Sequence, residues 1–147
     1  MKLPTAERRD VPSPIRRLLL TDYYDGPKAG VAVDVDGLVY TFEMLDWDDE
    51  RGVRVFKVAF APAVRWDDLR TALRSAAPRE WETWVLPMQL PQPAERLLAL
   101  AEASARPVAI VAATDLMGSF LVWRPFSLAP ASEPEPGWLE WLGIPRS

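Results

Sequence analysis

The fold is decided by residues 31–60, which read VAVDVDGLVYTFEMLDWDDERGVRVFKVAF and alternate in hydropathy with a period of two. Two alternating runs flank Asp36-Gly37, and such a dipeptide between alternating runs is the signature of a β-hairpin with a type I′ turn. A third alternating run extends from Val53 to Phe60. The stretch therefore predicts a three-stranded antiparallel meander in which Asp34 points to solvent.

The sequence on either side of this meander adds a strand upstream and mixed elements downstream. A strand is predicted at 15–21, followed by a loop at 22–30. After Pro62 the apolar period changes to about 3.6, which predicts one helix ending before Pro78 and a second beginning at Pro93. Two more strands are predicted within 107–126. The fold class is therefore α+β: an antiparallel sheet of about five to six strands, with two helices packed on one face.

The 147 residues divide into three parts by composition. Residues 1–14 contain three prolines among charged residues and are interpreted as an extended N-terminal arm. Residues 15–127 form the single α+β domain. Residues 128–147 form a Pro-rich acidic linker that ends in a Trp-containing segment.

The absence of His and Cys removes several kinds of chemistry. It excludes Ser-His-Asp and Cys-His nucleophiles, zinc fingers and disulfides. The apolar runs are too short for a signal peptide or a membrane span, so we expect a cytoplasmic protein with no membrane contact. The excess of Arg over Lys and the abundant Ala suggest a bacterial source.

The net charge of −4 conceals a strongly acidic module. Residues 22–50 carry nine acidic residues against Lys28 alone, whereas residues 51–79 are basic. Acidic loops with embedded aromatic residues are typical of a surface for a basic protein partner. Neutralisation of the two segments within the fold is the open alternative. The candidate partner-binding residues here are Tyr23, Tyr24, Asp25, Asp46, Trp47, Asp48, Asp49 and Glu50.

Trp138 and Trp141 in the C-terminal segment complete the candidate set. Large apolar residues after a Pro-rich linker are unfavourable in water. We expect them to dock on their own domain, near Trp81 and Trp84, or to bind a groove on a partner or on a second copy in a homodimer.

Asp34 and Asp36 form a DxDG arrangement that resembles the first motif of the haloacid dehalogenase superfamily. The resemblance implies a magnesium-dependent phosphotransfer enzyme with Asp34 as nucleophile and Asp36 as general acid and base. That family also needs a downstream acidic pair that holds magnesium, and no GDxxxD-like segment follows Lys57. A hairpin turn explains the same residues.

The acidic loop at 46–52 does not fit a calcium-binding EF-hand, because Arg51 and Lys57 stand where Gly and Glu are required. We therefore expect no catalytic residues, no cofactor and no metal. The predicted function is a non-catalytic protein-binding module, an inhibitor or immunity-type protein that covers a basic site on a toxin or nuclease without contacting nucleic acid. The alternatives are an accessory subunit that assembles through Trp138 and Trp141, and the phosphotransfer enzyme.

Overall fold

The computed structural model describes residues 14–145 and has an α+β fold built on one seven-stranded sheet. The predicted N-terminal arm lies outside the described residues, except for Pro14. The strands are β1 (Ile15–Tyr23), β2 (Pro27–Asp34), β3 (Val39–Asp48), β4 (Val53–Phe60), β5 (Thr83–Val85), β6 (Arg106–Ala113) and β7 (Val122–Pro125). The helices are α1 (Trp66–Leu73), α2 (Gln92–Ser104) and α3 (Trp138–Trp141), with a short 3₁₀ turn at Phe126–Leu128.

The strands lie in the order β5-β1-β2-β3-β4-β6-β7. The α+β class and the antiparallel meander are confirmed, since β1 to β4 pair in sequence order. The predicted count of five to six strands was too low, and the sheet is mixed because β5 pairs with β1 in parallel. A strand of three residues is too short to show the alternation by which a strand is recognised in a sequence.

The turn between β2 and β3 differs from the predicted type I′ turn. The amide of Asp34 donates to the carbonyl of Leu38 at 3.1 Å, which encloses a three-residue loop, Val35 to Gly37. Gly37 has a φ of +82°, whereas Asp36 does not have a positive φ. This is the common three-residue hairpin, in which a type I turn is followed by a left-handed glycine. The Asp34 side chain is buried, so the expectation that it points to solvent was also wrong.

The three helices cover one face of the sheet. Leu69 and Leu73 of α1 and Ala101 of α2 pack on the apolar residues of β1, β2 and β3. Leu139 of α3 packs further along the same face, on β4 and β6. Two helices had been predicted on one face, and α3 is the addition.

The opposite face is closed by the loop between β6 and β7. Leu116 of this loop is buried in a cluster with aromatic residues such as Phe42 and Phe56. The Thr83 hydroxyl of β5 lies 3.4 Å from Met117 Sδ, so the loop reaches from β6 to the far edge of the sheet. In a flat sheet, β5 and β6 would be five strand spacings of about 4.8 Å apart. The sheet is therefore curved around this core.

Candidate functional site

Three loops meet at one end of the sheet and enclose a cleft of about 510 Å³. They are the β1–β2 turn, the β3–β4 turn and the segment that follows β6. They share one end because β1, β3 and β6 all run towards it in the antiparallel order. We call this the loop-end cleft; its walls come from residues 25–27, from the β3–β4 hairpin and from residues 113–116. Most of the acidic residues singled out in the sequence lie in the first two of these loops.

Arg54 occupies the inner wall of the loop-end cleft and is only 6% exposed. Its Nη1 donates to the carbonyl of Pro27 at 2.8 Å, and its Nη2 donates to the carbonyls of Asp25 at 2.7 Å and Tyr24 at 3.1 Å. Its guanidinium stacks 4.4 Å from the centre of the Trp47 ring. Backbone carbonyls and an indole therefore satisfy a buried cation that, among residues 14–145, has no carboxylate within ion-pair distance.

Burial lowers the pKa of Arg54, and the negative charge of Asp25 acts in the opposite direction. Arginine remains protonated in proteins because its ordinary pKa lies far above neutrality. The side chain therefore stays a cation, and its attraction for the β1–β2 turn persists at physiological pH.

The β1–β2 turn is shaped around the Arg54 guanidinium. Gly26 has a φ of +136°, and a Cβ at this position would lie 2.8 Å from Arg54 Nη2. Asp25 adopts a left-handed φ of +52°, which Asp tolerates better than most residues. Only a glycine at position 26 allows the backbone to approach the guanidinium this closely.

The mouth of the loop-end cleft is acidic and aromatic. Asp25, Asp49 and Asp115 are exposed around it. Tyr23 and Tyr24 are 56% and 62% exposed beside it. The Tyr24 ring meets the Trp47 ring edge-on, with centroids 6.3 Å apart. The structure thus brings together five of the residues predicted from sequence: Tyr23, Tyr24, Asp25, Trp47 and Asp49.

The carboxylates of Asp46 and Asp48 bind other residues of this chain. Asp46 accepts hydrogen bonds from the amide of Trp47 at 2.8 Å and from the amide of Leu139 at 3.1 Å. Asp48 is 5% exposed and pairs with Arg51 at 2.9 Å. Arg51 also donates to the carbonyl of Pro145. These contacts tie the β3–β4 hairpin to the C-terminal segment, while Glu50 is exposed in the same turn.

Trp138 and Trp141 lie on their own sheet. Trp138 is buried with Leu139 against Val55, and Trp141 is half-buried. The two indoles pack edge-on with centroids 5.5 Å apart. The Arg124 guanidinium stacks 4.9 Å from the Trp141 ring.

Trp81 and Trp84 belong to a different cluster, with Trp66 and α1. The expectation that the C-terminal segment docks near Trp81 and Trp84 was therefore wrong. The segment lies instead on β4 and β6.

Asp34 lies at the other end of the sheet and holds the β2–β3 turn. Its Oδ1 accepts from the amides of Asp36 and Leu38, both at 2.9 Å, and its Oδ2 accepts from the Tyr40 hydroxyl at 3.2 Å. Burial raises the pKa of Asp34 against these hydrogen bonds. Within the described part of the chain, no three carboxylates come together in a way that could hold a metal ion.

Two residues of the cleft were missed in the sequence. In the alternation of β4, Arg54 lies on the same face as Phe56, Val58 and Phe60. A charged residue at a position that faces the core indicates a buried cation with a structural or functional role. Asp115 lies in the loop between β6 and β7. No sequence signal placed it opposite Asp25 and Asp49.

No protein-family model, curated protein or solved structure matches this chain. Among residues 14–145, no helix has the length and apolar character needed to cross a bilayer.

Proposed function

We propose that this is a non-catalytic protein-binding module of the inhibitor or immunity type, and that its loop-end cleft covers a basic site on a protein partner such as a toxin or nuclease. The observation that carries the proposal is the convergence of Asp25, Asp49 and Asp115, with exposed Tyr23 and Tyr24, around one cleft.

The charge and the aromatic residues of this end have separate effects on binding. Like charges at the mouth of a cleft focus a negative potential, which accelerates encounter with a basic partner and disfavours acidic ones. Tyr side chains supply contact area at low entropic cost and are frequent energetic anchors of interfaces. The cleft volume, about 510 Å³, accommodates a Lys or Arg side chain of the partner.

Arg54 supports this surface from within. By holding the carbonyls of Tyr24, Asp25 and Pro27, it keeps the β1–β2 turn in one conformation before the partner arrives. A preorganised loop loses less conformational entropy on binding, and this favours affinity.

The alternatives use residues that already have roles in the fold. An accessory subunit would assemble through Trp138 and Trp141, which pack on β4 and β6. A phosphotransfer enzyme would use Asp34, whose two oxygens accept hydrogen bonds from the turn and from Tyr40. No observation favours either over the binding module.

The proposal is tested with the products of the neighbouring genes, each expressed and purified with this protein. Association rates are measured by surface plasmon resonance over a series of salt concentrations. The variant Asp25→Asn/Asp49→Asn/Asp115→Asn should lower the low-salt association rate by roughly tenfold or more. The control Asp68→Asn/Glu95→Gln/Glu102→Gln removes three exposed acids from the helices and should leave the rate unchanged.

Two results would contradict the proposal. The first is a partner whose association rate is insensitive both to salt and to the loss of the three cleft acids. The second is hydrolysis of p-nitrophenyl phosphate with magnesium that disappears in Asp34→Asn, which would establish the phosphotransfer enzyme.

A further inference from the structure

A second surface, of opposite charge, lies on the helix side of the sheet. Arg17 of β1, Trp66, Arg70 and Arg74 of the α1 region, and Arg79 and Trp81 of the following segment line an open groove of about 900 Å³. We call it the Trp–Arg groove. In the sequence, Arg17 and Trp81 are 64 positions apart, and the parallel β1–β5 pairing brings them together.

The Arg17 side chain is fixed at the centre of the Trp–Arg groove. Its guanidinium lies 5.1 Å from the centre of the Trp81 ring and 5.8 Å from that of Trp66, and it donates to the Trp81 carbonyl. The two rings meet edge-on, with centroids 6.0 Å apart. The groove thus has a rigid aromatic wall that carries a positive charge.

The remaining arginines of the groove are available to a ligand. Arg74 and Arg79 are exposed, and within the described residues neither has a carboxylate at ion-pair distance. Arg70 pairs with Asp67 at 3.2 Å, but both side chains are largely exposed, and such pairs contribute little stability. Ala77 and Pro78 supply accessible apolar surface in the groove, whereas Leu73 is fully buried.

We propose that the Trp–Arg groove binds an acidic segment of a partner protein, in which Asp and Glu residues flank a large apolar side chain. Guanidinium groups match the geometry of carboxylates and can bind them with paired hydrogen bonds. The apolar side chain of the segment would lie on Ala77 and Pro78. This inference is independent of the function proposed for the loop-end cleft, because the two surfaces share no residue.

The structure favours an acidic peptide over a nucleic acid. Single-stranded nucleic acids need aromatic faces on which bases stack, together with a continuous basic track. Here Arg17 already lies over both indoles, and Glu80 and Glu82 interrupt the basic lining. The carboxylates of a peptide, unlike the phosphates of a nucleic acid, need not be evenly spaced. They can therefore lie beside the arginines and away from the two glutamates.

The test is a fluorescence anisotropy titration of the full chain with short labelled peptides. The probe carries Asp and Glu on both sides of a Leu-Trp pair, and the control peptide has Asn and Gln in place of the acids. The probe should bind at low salt, and the control peptide should bind at least about tenfold more weakly. Arg74→Glu/Arg79→Glu should weaken probe binding by about tenfold or more, which corresponds to ~1.4 kcal/mol.

The matched control variant is Arg96→Glu/Arg106→Glu, which reverses two exposed charges outside the groove and should leave probe binding within about twofold. Thermal unfolding of both variants verifies that they are folded. The proposal is overturned if the acidic and neutral peptides bind equally, if the probe does not bind, or if the two charge-reversed variants lose binding to the same extent. Tighter binding of a labelled oligothymidylate than of the probe would assign the groove to nucleic acid instead.

Discussion

The guanidinium of Arg54 stacks 4.4 Å from the centre of the Trp47 ring while its nitrogens donate to three carbonyls of residues 24–27. One side chain of β4 thereby connects the β3–β4 hairpin to the β1–β2 turn. Arg54 therefore links the two turns that carry acidic residues at the mouth of the loop-end cleft.

Replacing Arg54 with Met should release the β1–β2 turn. Met keeps most of the side-chain length but cannot donate to the three carbonyls, so we expect a loss of about 2–3 kcal/mol in the free energy of unfolding. Urea denaturation measures the loss, and hydrogen exchange at residues 24–27 should accelerate. Arg96→Met, at an exposed position on α2, should change stability by less than about 0.5 kcal/mol. Unchanged hydrogen exchange at residues 24–27 would show that Arg54 does not hold the β1–β2 turn.

Gly26→Ala should combine a backbone penalty, because L residues rarely adopt a φ of +136°, with a close contact to Arg54. Gly26→Ala puts a Cβ 2.8 Å from Arg54 Nη2, whereas Gly52, with a φ of +68°, has open space around its Cβ position. Gly52→Ala should cost about 1–2 kcal/mol for the unfavourable φ, and Gly26→Ala should cost at least about 1 kcal/mol more. Both are measured by urea denaturation.

A double-mutant cycle shows whether the clash is responsible. In the Arg54→Met background, Gly26→Ala should cost less unfolding free energy, because the guanidinium that the new Cβ would meet is absent. Additive costs for the two substitutions would mean that the guanidinium does not dictate the glycine.

Asp34 should make the stability depend on pH in an unusual direction for a carboxylate. Burial raises its pKa above the ordinary value of 3.8, so the folded state holds this proton more tightly than the unfolded chain. The contribution of Asp34 to the free energy of unfolding is then fully present below about pH 4 and is lost as the pH rises through the folded pKa.

Asp34→Asn removes this titration and keeps an oxygen that can accept from the turn amides. The difference in unfolding free energy, wild type minus Asp34→Asn, should therefore decrease as the pH rises from about 4 towards neutrality. Urea denaturation of both proteins at several pH values measures it. An increase of this difference with pH would show that the hydrogen bonds to Asp34 dominate over its burial.

Leu139 should contribute strongly to stability although it lies in the C-terminal segment. Its side chain is fully buried with Val55, so Leu139→Ala should lower the free energy of unfolding by about 2–5 kcal/mol. Leu128→Ala is the control, because Leu128 is 64% exposed, and it should cost less than about 0.5 kcal/mol. Equal effects of the two substitutions on thermal unfolding would argue against docking of the segment on its own sheet.

Local patterns were enough for much of the fold. The alternation in residues 31–60 identified the meander, and the helical spacing identified α1 and α2, because each element needs only its own residues to show which face is apolar. The short strand β5 could not be predicted, since three residues carry no period. The turn type was wrong because Asp34 turns inward and accepts from the turn amides, an arrangement that an Asp-Gly signal does not reveal.

By itself, the sequence determined an α+β chain without His or Cys, in which residues 22–50 carry nine acidic residues together with Tyr23, Tyr24 and Trp47. Only the tertiary structure decided which of those acids face solvent. Asp46 and Asp48 are held by contacts to residues 51 and 139, while Asp115 joins Asp25 and Asp49 at the cleft. The reason is physical: charge is a property of each residue, but the potential of a surface depends on which side chains the strand order brings to the same end.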